Sequence, residues 1–383
     1  MTITWSIPSW LNQSQLISIF SSCLVLPYLI LSPLSGRLAV IYSKQRVYRM
    51  FKLLEIPTMM IACLAIYLQW IVLAVIVILT MGIYACLYSP SKYGLIRDIG
   101  GEKELSYGSS IFELLVFIGI LLGTVCGALF SDAKGNELLF ITFILIAIVG
   151  YGVSKQINVK EIPLDTESYG SLNPIKFFID SLRESKNYHL VGSGVFGASV
   201  FWLIGGLLHM NLLIHCQHIY QTSNTVTGLV MACAAIGIAS GCWFVGLISG
   251  SSIKIGLILV GILGMTIISL LITFLQLSFP VFIVLIFLMA FLGGIFQIPC
   301  LALVQDGRLG RKIGEMIAFM NFNTFGFVLI ASVLFSISTS VSNQNSQFVF
   351  GVISIICIGV SLFFITINPH FRKETLKFFP RFN

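Results

Sequence analysis

The chain has 383 residues, of which 57% are hydrophobic and 10% charged, with a formal net charge of +7 and a mean hydropathy of +0.98. This composition excludes an ordinary soluble protein, in which about 25% of residues are charged. The positive charge does not indicate a nucleic-acid partner, because the cations are scattered over separate short segments. They are typical of topology signals and of contacts with membrane lipids.

Eleven long apolar runs follow one another along the chain, and each is a predicted membrane span, because a helix needs about 20 apolar residues to cross a bilayer. A tight helical hairpin is predicted near Gln69 and Trp70, since the apolar run 53–95 is too long for one span. The predicted spans are 15–35, 53–69, 71–95, 109–130, 138–154, 190–214, 225–249, 255–276, 280–304, 315–337 and 348–368.

The Lys and Arg residues alternate with the spans. Of the 22 cations, 21 lie in or at the edge of every second gap, counting Lys92 at the end of the third span and the C-terminal tail, and Lys134 alone lies in the other set. Cationic loops stay in the cytoplasm when hydrophobic helices are inserted. The pattern therefore predicts a multi-pass protein of inner-membrane type with a cytoplasmic C-terminus and, because the span count is odd, an outside N-terminus.

One long polar segment, 155–189, divides five spans from six. We expect an all-α polytopic protein with two bundles: an N-terminal bundle at 1–154, a cytoplasmic loop at 155–189, and a C-terminal bundle with a cytoplasmic tail at 190–383. Two bundles joined by such a loop are typical of secondary transporters, whose halves rock about a site near the midplane.

Part of this loop has the pattern of an amphipathic helix. From Pro174 to Lys186, apolar residues fall on one face, and a helix with such a face can lie on the membrane surface. These residues are Ile175, Phe178, Ile179 and Leu182. A solvated linker with one helical stretch is the alternative interpretation.

Such transporters have six spans in each half, whereas five are predicted here before the loop. Residues 1–14 are too short and too polar to span a membrane. We therefore expect that a first span is missing, either because it was lost or because the start site is assigned too late.

A candidate gating loop follows the first predicted span, and its residues are Gly36, Arg37, Lys44 and Arg46. The segment resembles the short loop signature of the major facilitator superfamily. In that signature a glycine permits a sharp turn, an acid caps a neighbouring helix, and cations pair with the acid when the cytoplasmic gate closes. This chain has Val40 where the acid is expected. The resemblance therefore implies an incomplete gating pair, and the cations can be topology signals alone.

The segment from Tyr88 to Asp98 combines Pro90, Lys92 and Gly94 within apolar sequence. Proline frees a backbone carbonyl, and Lys92 near the cytoplasmic end of its span can meet an anionic head group. The alternative is a lysine that extends its ammonium group to the membrane interface.

This segment resembles the Pro-x-Lys-Tyr-Gly-Ile motif of the lysophospholipid transporter family, a branch of the major facilitator superfamily. Three further segments support the resemblance in the same order, and the whole resemblance runs over roughly residues 15–368. They are Glu113 with 120–127, 201–206, and 291–299 with 302–305.

The resemblance implies that the chain flips lysophospholipids, chiefly lysophosphatidylethanolamine, across a bacterial inner membrane. The lipids are then re-acylated, so an acyltransferase is an implied partner. A lipid substrate needs an apolar groove, because its acyl chain stays in hydrocarbon while its head group crosses. No enzyme activity and no cofactor are expected, and the chain has no nucleotide-binding loop.

Two alternative functions remain open. An exporter of drugs, siderophores or other small solutes is one alternative. A non-transporting scaffold or a decayed paralogue is the other.

Polar residues inside spans are candidates for the translocation path. Lys92 and Glu113 can form a pair that meets the phosphate and amine of the head group, whereas Glu55 and Glu315 at helix ends are expected to act in capping. The neutral candidates can donate hydrogen bonds or simply bridge helices. The candidate set is Lys92, Tyr93, Glu113, Asn211, Gln297, Asn321 and Asn323.

Two further features of the sequence concern metal binding and ion coupling. His209, His215, Cys216 and His218 can be interpreted as a metal site, but no acid joins them, and we predict no metal. The family's acid in the first helix has no counterpart, and Gly246 and Ser252 replace an acid and an arginine of the eighth helix. Ion coupling therefore does not follow from the resemblance.

Overall fold

The computed structural model describes residues 13–101, 104–132, 137–159, 161, 172–188, 190–249, 253–305, 307–342 and 345–367. Within these ranges the protein has twelve α-helices and no strand, and eleven of the helices are long and apolar enough to cross a membrane. The predicted all-α class and the number of spans are confirmed. Lys134, Ser252 and the cations after residue 367 lie outside the described residues.

The helices follow the predicted order, with one short helix between the fifth and sixth spans. They are α1 (Gln13–Ile41), α2 (Lys44–Tyr67), α3 (Ile71–Gly100), α4 (Leu105–Asp132), α5 (Glu137–Gln156), α6 (Pro174–Ser185), α7 (Val191–His218), α8 (Asn224–Ser249), α9 (Gly256–Phe274), α10 (Phe279–Val304), α11 (Ile313–Val341) and α12 (Ser346–Ile367). A 3-10 segment, Gly307–Lys312, precedes α11.

Several helices extend beyond the apolar runs that predicted them. The second span was predicted from residue 53, but α2 begins at Lys44, because hydropathy marks the segment in hydrocarbon and not the polar turns that continue the helix outside it. The predicted hairpin between the second and third spans is confirmed. Gln69 adopts a φ of 52°, and the Trp70 N–H donates to the Ala65 carbonyl at 3.0 Å, which closes α2.

The helix predicted in the polar loop is also present as α6. Its N-terminus is capped by the Asn173 side chain, whose Oδ1 accepts the N–H groups of Ile175 at 3.0 Å and Lys176 at 3.3 Å. Of the four residues predicted for the apolar face, Ile175, Ile179 and Leu182 are exposed. Phe178 instead packs on Phe319 of α11, with ring centroids 5.6 Å apart, and its neighbour Phe177 is buried. A face that stays apolar and exposed fits the membrane surface, and that location remains a proposal.

The chain forms two compact units, each assembled from separate segments. The first contains the described parts of 1–99, 122–188 and 307–322, and the second those of 100–121, 189–306 and 323–383. The boundaries pass through α4 and α11, so each of these helices contributes to both units. The predicted division of the chain into bundles at 154 and 190 stays a proposal.

In the second unit, α10 packs on α8 with backbone against backbone. A Cβ atom added at Gly241 would collide with the carbonyl oxygen of Phe291, and one added at Gly294 would lie 2.5 Å from the carbonyl oxygen of Ile238. Small residues at crossings allow membrane helices to approach this closely. Gly294 of the Phe291–Pro299 segment therefore has a packing role.

We expect Gly241→Ala to lower the apparent melting temperature of the detergent-solubilised protein, because overpacking costs about 1–3 kcal/mol. Gly228→Ala is the matched control on the same helix, since a Cβ atom there meets nothing within 4 Å. That control should be neutral or slightly stabilising. Equal melting temperatures for the two variants would contradict the close packing of α8 on α10.

Candidate functional site

A carboxylate and an ammonium group face each other on one turn of α2. The Nζ atom of Lys52 lies 2.8 Å from Oε2 and 3.0 Å from Oε1 of Glu55, and both side chains are largely shielded from solvent. Residues three apart share one face of a helix, which places the two groups side by side. Because α2 begins at Lys44, Glu55 lies in the middle of the helix. The expectation that it acts in capping a helix end was therefore wrong, and it neutralises a lysine instead.

Tyrosine rings from α2 and α3 surround this pair. The Lys52 ammonium lies 5.8 Å from the ring centroid of Tyr48 and 5.4 Å from that of Tyr88. The two rings meet edge to face with centroids 5.6 Å apart. Both distances from the ammonium fall within the range of cation–π attraction, so the rings hold a positive charge in a place with little water.

Lys92 joins the same group from α3. Its ammonium lies 5.8 Å from the ring centroid of Tyr88 and 5.0 Å from that of Tyr93, so Tyr88 is shared by two lysines. We call this set the tyrosine–lysine cluster, and its members are Tyr48, Lys52, Glu55, Tyr88, Lys92 and Tyr93. With two ammonium groups and one carboxylate, the cluster offers both signs of charge to a ligand.

Asn321 bridges α11 to α3 inside the first unit. Its Nδ2 donates to the Ser89 Oγ at 2.9 Å, and Tyr28 shares a hydrogen bond with the same serine. Ser89 directly follows Tyr88, so this bridge fixes the stretch of α3 that carries the cluster. Asn323 is partly buried on the same helix, two residues later.

Lys44 of the predicted gating loop is buried in an ion pair. Its Nζ lies 2.5 Å from Oδ2 of Asp98, with side-chain exposures of 0% and 4%. A Cβ atom added at Gly94 would lie 3.0 Å from Cδ of Lys44, so the absent side chain makes room for the lysine. The missing acid at Val40 does not leave Lys44 unpaired, because Asp98 on α3 supplies the carboxylate.

Gly36 differs from its predicted role as a turn residue. It lies within α1, which continues to Ile41, and an added Cβ atom would lie 3.0 Å from Cβ of Ala318 on α11. Its small size therefore serves close packing of two helices. Arg37 is partly buried, whereas Arg46 is exposed, as expected for a topology signal.

Glu113 lies on a buried polar face of α4 in the second unit. Ser109 donates through Oγ to Oε1 of Gln305 at 3.4 Å, and Ser110 packs against Gly246 of α8. Gln297 is buried on α10, and its Oε1 has no hydrogen-bond partner among the described residues. Lys92 and Glu113 belong to different units, and their predicted pairing stays a proposal.

Asn211 ties α7 to the start of α12, which fits the bridging role that was its alternative. Its Nδ2 donates to the Ser346 carbonyl at 3.0 Å, and Nδ1 of His215 lies 2.8 Å from the Ser346 hydroxyl. The His215 ring also packs on Phe282 with centroids 4.6 Å apart. In the part of the chain that the structure describes, no three His, Cys, Asp or Glu residues are placed to hold a metal.

Sequence reasoning missed most of the tyrosine–lysine cluster. Tyr48, Lys52 and Glu55 fall at positions i, i+4 and i+7 of α2, and Tyr88 and Lys92 at i and i+4 of α3. Such spacings place side chains on one helix face. The signal was therefore present, but it indicates a site only once the two helices are known to cross.

The family model of the Major Facilitator Superfamily matches residues 2–332, and the chain belongs to this superfamily. The lysophospholipid transporter LplT of Pectobacterium carotovorum subsp. carotovorum is 26% identical over 322 residues, which cover 82% of this chain and 75% of the relative. LplT of Yersinia enterocolitica is 26% identical over 331 residues, covering 83% and 77%. The resemblance to lysophospholipid transporters is confirmed.

Solved transporters share the fold. The E. coli fucose:proton symporter FucP superposes with a TM-score of 0.72 at 12% identity, covering 91% of this chain and 90% of that one. A bacterial homologue of the iron transporter ferroportin, in an outward-facing state, gives a TM-score of 0.68 at 17% identity, covering 96% and 92%. These similarities support the all-helical transporter fold and leave the substrate to be argued from the chain itself.

The Lys44–Asp98 pair leads to a stability prediction. Asp98→Asn removes the carboxylate that neutralises the buried Lys44 ammonium, which should cost about 3–5 kcal/mol. Lys44→Met combined with Asp98→Asn should be less destabilised than the sum of the single variants, because it removes both charges. Thermal unfolding of the four proteins measures this coupling, and Arg46→Gln is the exposed control. Additive effects would contradict the ion pair.

Proposed function

We propose that this chain moves lysophospholipids with a zwitterionic head group, such as lysophosphatidylethanolamine, across a bacterial inner membrane by alternating access. Membership of a transporter superfamily and the similarity to LplT proteins support this proposal. The observation that carries it is the tyrosine–lysine cluster, in which charges of both signs lie among aromatic rings.

The head group matches the cluster charge for charge. Its phosphate can be bound by Lys52 and Lys92, and its ammonium by Glu55 and the tyrosine faces. Charge-assisted hydrogen bonds and cation–π contacts are both strong where water is scarce. Lys52 and Glu55 neutralise each other when the site is empty, so an incoming zwitterion exchanges one ion pair for two without changing the net charge.

The acyl chain does not need a site in water. Each buried CH₂ contributes about 0.8 kcal/mol, so moving a long chain out of hydrocarbon would cost more than about 10 kcal/mol. The outward-facing side chains of α2 and α3 are apolar and exposed, including Met60, Leu64 and Ile76. These surfaces allow the chain to remain in lipid while the head group moves along the protein.

The remaining parts of the proposal follow the topology and the resemblance. Glu113 and Gln297 are proposed contacts of the head group in the second unit, together with Asn323. The C-terminus is proposed to be cytoplasmic, which places an acyltransferase partner and the delivered lipid on the same side. Membrane lipids surround the spans.

Transport in proteoliposomes tests the proposal. Labelled lysophosphatidylethanolamine is added outside, and its arrival in the inner leaflet is measured by its resistance to extraction with albumin. Protein-dependent arrival supports the proposal. Its absence, together with export of another solute, would favour a small-solute exporter, and absence of all transport would favour a scaffold.

Lys92→Gln should weaken lysophosphatidylethanolamine transport by about 10-fold or more, because a hydrogen bond to a charged group contributes about 1.5–3 kcal/mol. Lys155→Gln is a matched control, since the Lys155 ammonium also lies over a tyrosine, 4.5 Å from the ring centroid of Tyr151, but outside the cluster. The initial rate at several substrate concentrations gives KM and the maximal rate. Equal behaviour of both variants would remove Lys92 from the site.

Glu55→Gln should discriminate between head groups. Lysophosphatidylethanolamine carries an ammonium that Glu55 can neutralise, whereas lysophosphatidylglycerol carries none. We expect about a 10-fold higher KM for the first lipid, by loss of one charge-assisted contact, and no increase for the second. A parallel loss for both lipids would show that Glu55 acts on Lys52 alone.

A further inference from the structure

A carboxylate from the inter-bundle loop binds the first turn of α2. Oε1 of Glu161 accepts the Ser43 hydroxyl at 2.7 Å and the Gln45 N–H at 3.0 Å, and Oε2 accepts the Lys44 N–H at 2.8 Å. The donors lie 116 to 118 positions before Glu161 in the chain. One acidic residue therefore joins the loop after the fifth span to the loop after the first.

The start of α2 needs such a partner. Ser43 stands at its N-cap without a side-chain hydrogen bond to the helix, and the first N–H groups of any helix have no partner within it. The helix dipole also favours a negative charge at this end. Glu161 satisfies both requirements from outside the helix.

The same stretch of loop is held at further points along α2. The Gln45 side chain donates to the Val159 carbonyl at 2.6 Å and accepts the Val159 N–H at 3.4 Å. Arg49 donates from Nε to the Ser154 carbonyl at 3.0 Å, at the end of α5. Residues 154–159 and Glu161 therefore lie along the first turns of α2.

Lys44 connects this contact to the buried ion pair. Its backbone N–H is bound by Glu161, and its ammonium is bound by Asp98 of α3. A fully buried ammonium tolerates little displacement, because leaving its countercharge costs several kcal/mol. Fixing the backbone of Lys44 therefore fixes the position from which its side chain reaches Asp98.

We propose that Glu161 is a positioning residue of the transport cycle, which tethers the inter-bundle loop to α2 and holds Lys44 in register with Asp98. The tether itself follows from the contacts above, whereas its effect on transport rests on the proposed lysophospholipid activity. The three donors that Glu161 binds all precede Tyr48, the first residue of the tyrosine–lysine cluster on α2. Loss of Glu161 should therefore change the maximal rate and leave KM unchanged.

Glu161→Gln in the full chain tests the proposal in proteoliposomes with labelled lysophosphatidylethanolamine. An amide keeps the shape but loses the charge that binds three donors, so we expect the maximal rate to fall at least about fivefold with KM within about twofold. Trypsin should cut faster after Lys155, because the tether no longer protects the segment. An unchanged rate would overturn the proposal.

Ser43→Asp separates tethering from helix capping. An aspartate at the N-cap supplies the α2 N–H groups with a carboxylate of its own, so it should restore the melting temperature lost in Glu161→Gln. It cannot bind the loop, and transport and trypsin protection should remain impaired. Recovery of transport in the double variant would show that Glu161 merely caps the helix, which overturns the proposal.

Asp180→Asn is the matched control, since it removes one negative charge from α6 of the same loop. It should leave the transport rate and the cleavage after Lys155 unchanged, and an effect equal to that of Glu161→Gln would overturn the proposal.

A second variant covers the case in which Glu161→Gln does not fold. Glu161→Asp should then give an intermediate rate, and a wild-type rate would overturn the proposal. If the wild type moves no lysophospholipid, the proposed function fails, while trypsin protection still decides the tether.

Discussion

Backbone hydrogen bonds must be satisfied inside each membrane-spanning helix, because hydrocarbon offers no partners to an unpaired N–H or carbonyl group. The N–H and carbonyl groups that lack partners within a helix therefore lie at its ends, and these groups need partners from other parts of the chain. At these ends α2 is completed by Glu161, α5 by Arg49 and α6 by Asn173. The side chains that complete α2 and α5 come from other elements, so the ends of the spans also connect the loops.

The cations at these ends have two physical roles. Cations in alternate gaps are the pattern that orients spans during insertion in multi-pass proteins, and the orientation that they predict for this chain stays a proposal. In the folded protein, Lys44 is paired with Asp98, Lys52 with Glu55, and Lys312 with Glu184. The last contact raises the pKa of Lys312, because the Glu184 carboxylate accepts a hydrogen bond from the ammonium. A topology signal and a structural ion pair are therefore compatible in one residue.

Local patterns in the sequence were sufficient for the fold. Apolar runs predicted the eleven spans and the turn at Gln69, and an amphipathic pattern predicted the helix at Pro174, because each depends on neighbours along the chain. The partners of Lys44 could not be predicted in this way, since Asp98 lies 54 positions away and Glu161 lies 117 positions away. Hydropathy indicates that a helix spans the membrane, but it does not indicate which other helices that helix contacts. The resemblance implied an acid for the gating loop, and the structure provides acids from α3 and from the loop after α5 instead.

Gly94 illustrates how such a pairing restricts the sequence. The space that a side chain would occupy at position 94 is filled by the aliphatic part of the Lys44 side chain. A Cβ atom added at Gly94 would lie 3.0 Å from Cδ and 3.1 Å from Cε of Lys44. The two positions therefore share one volume, and a larger residue at 94 is compatible only with a shorter one at 44. Residues 44 and 94 should therefore covary among related sequences. Where position 44 is not a lysine, position 98 no longer needs a carboxylate.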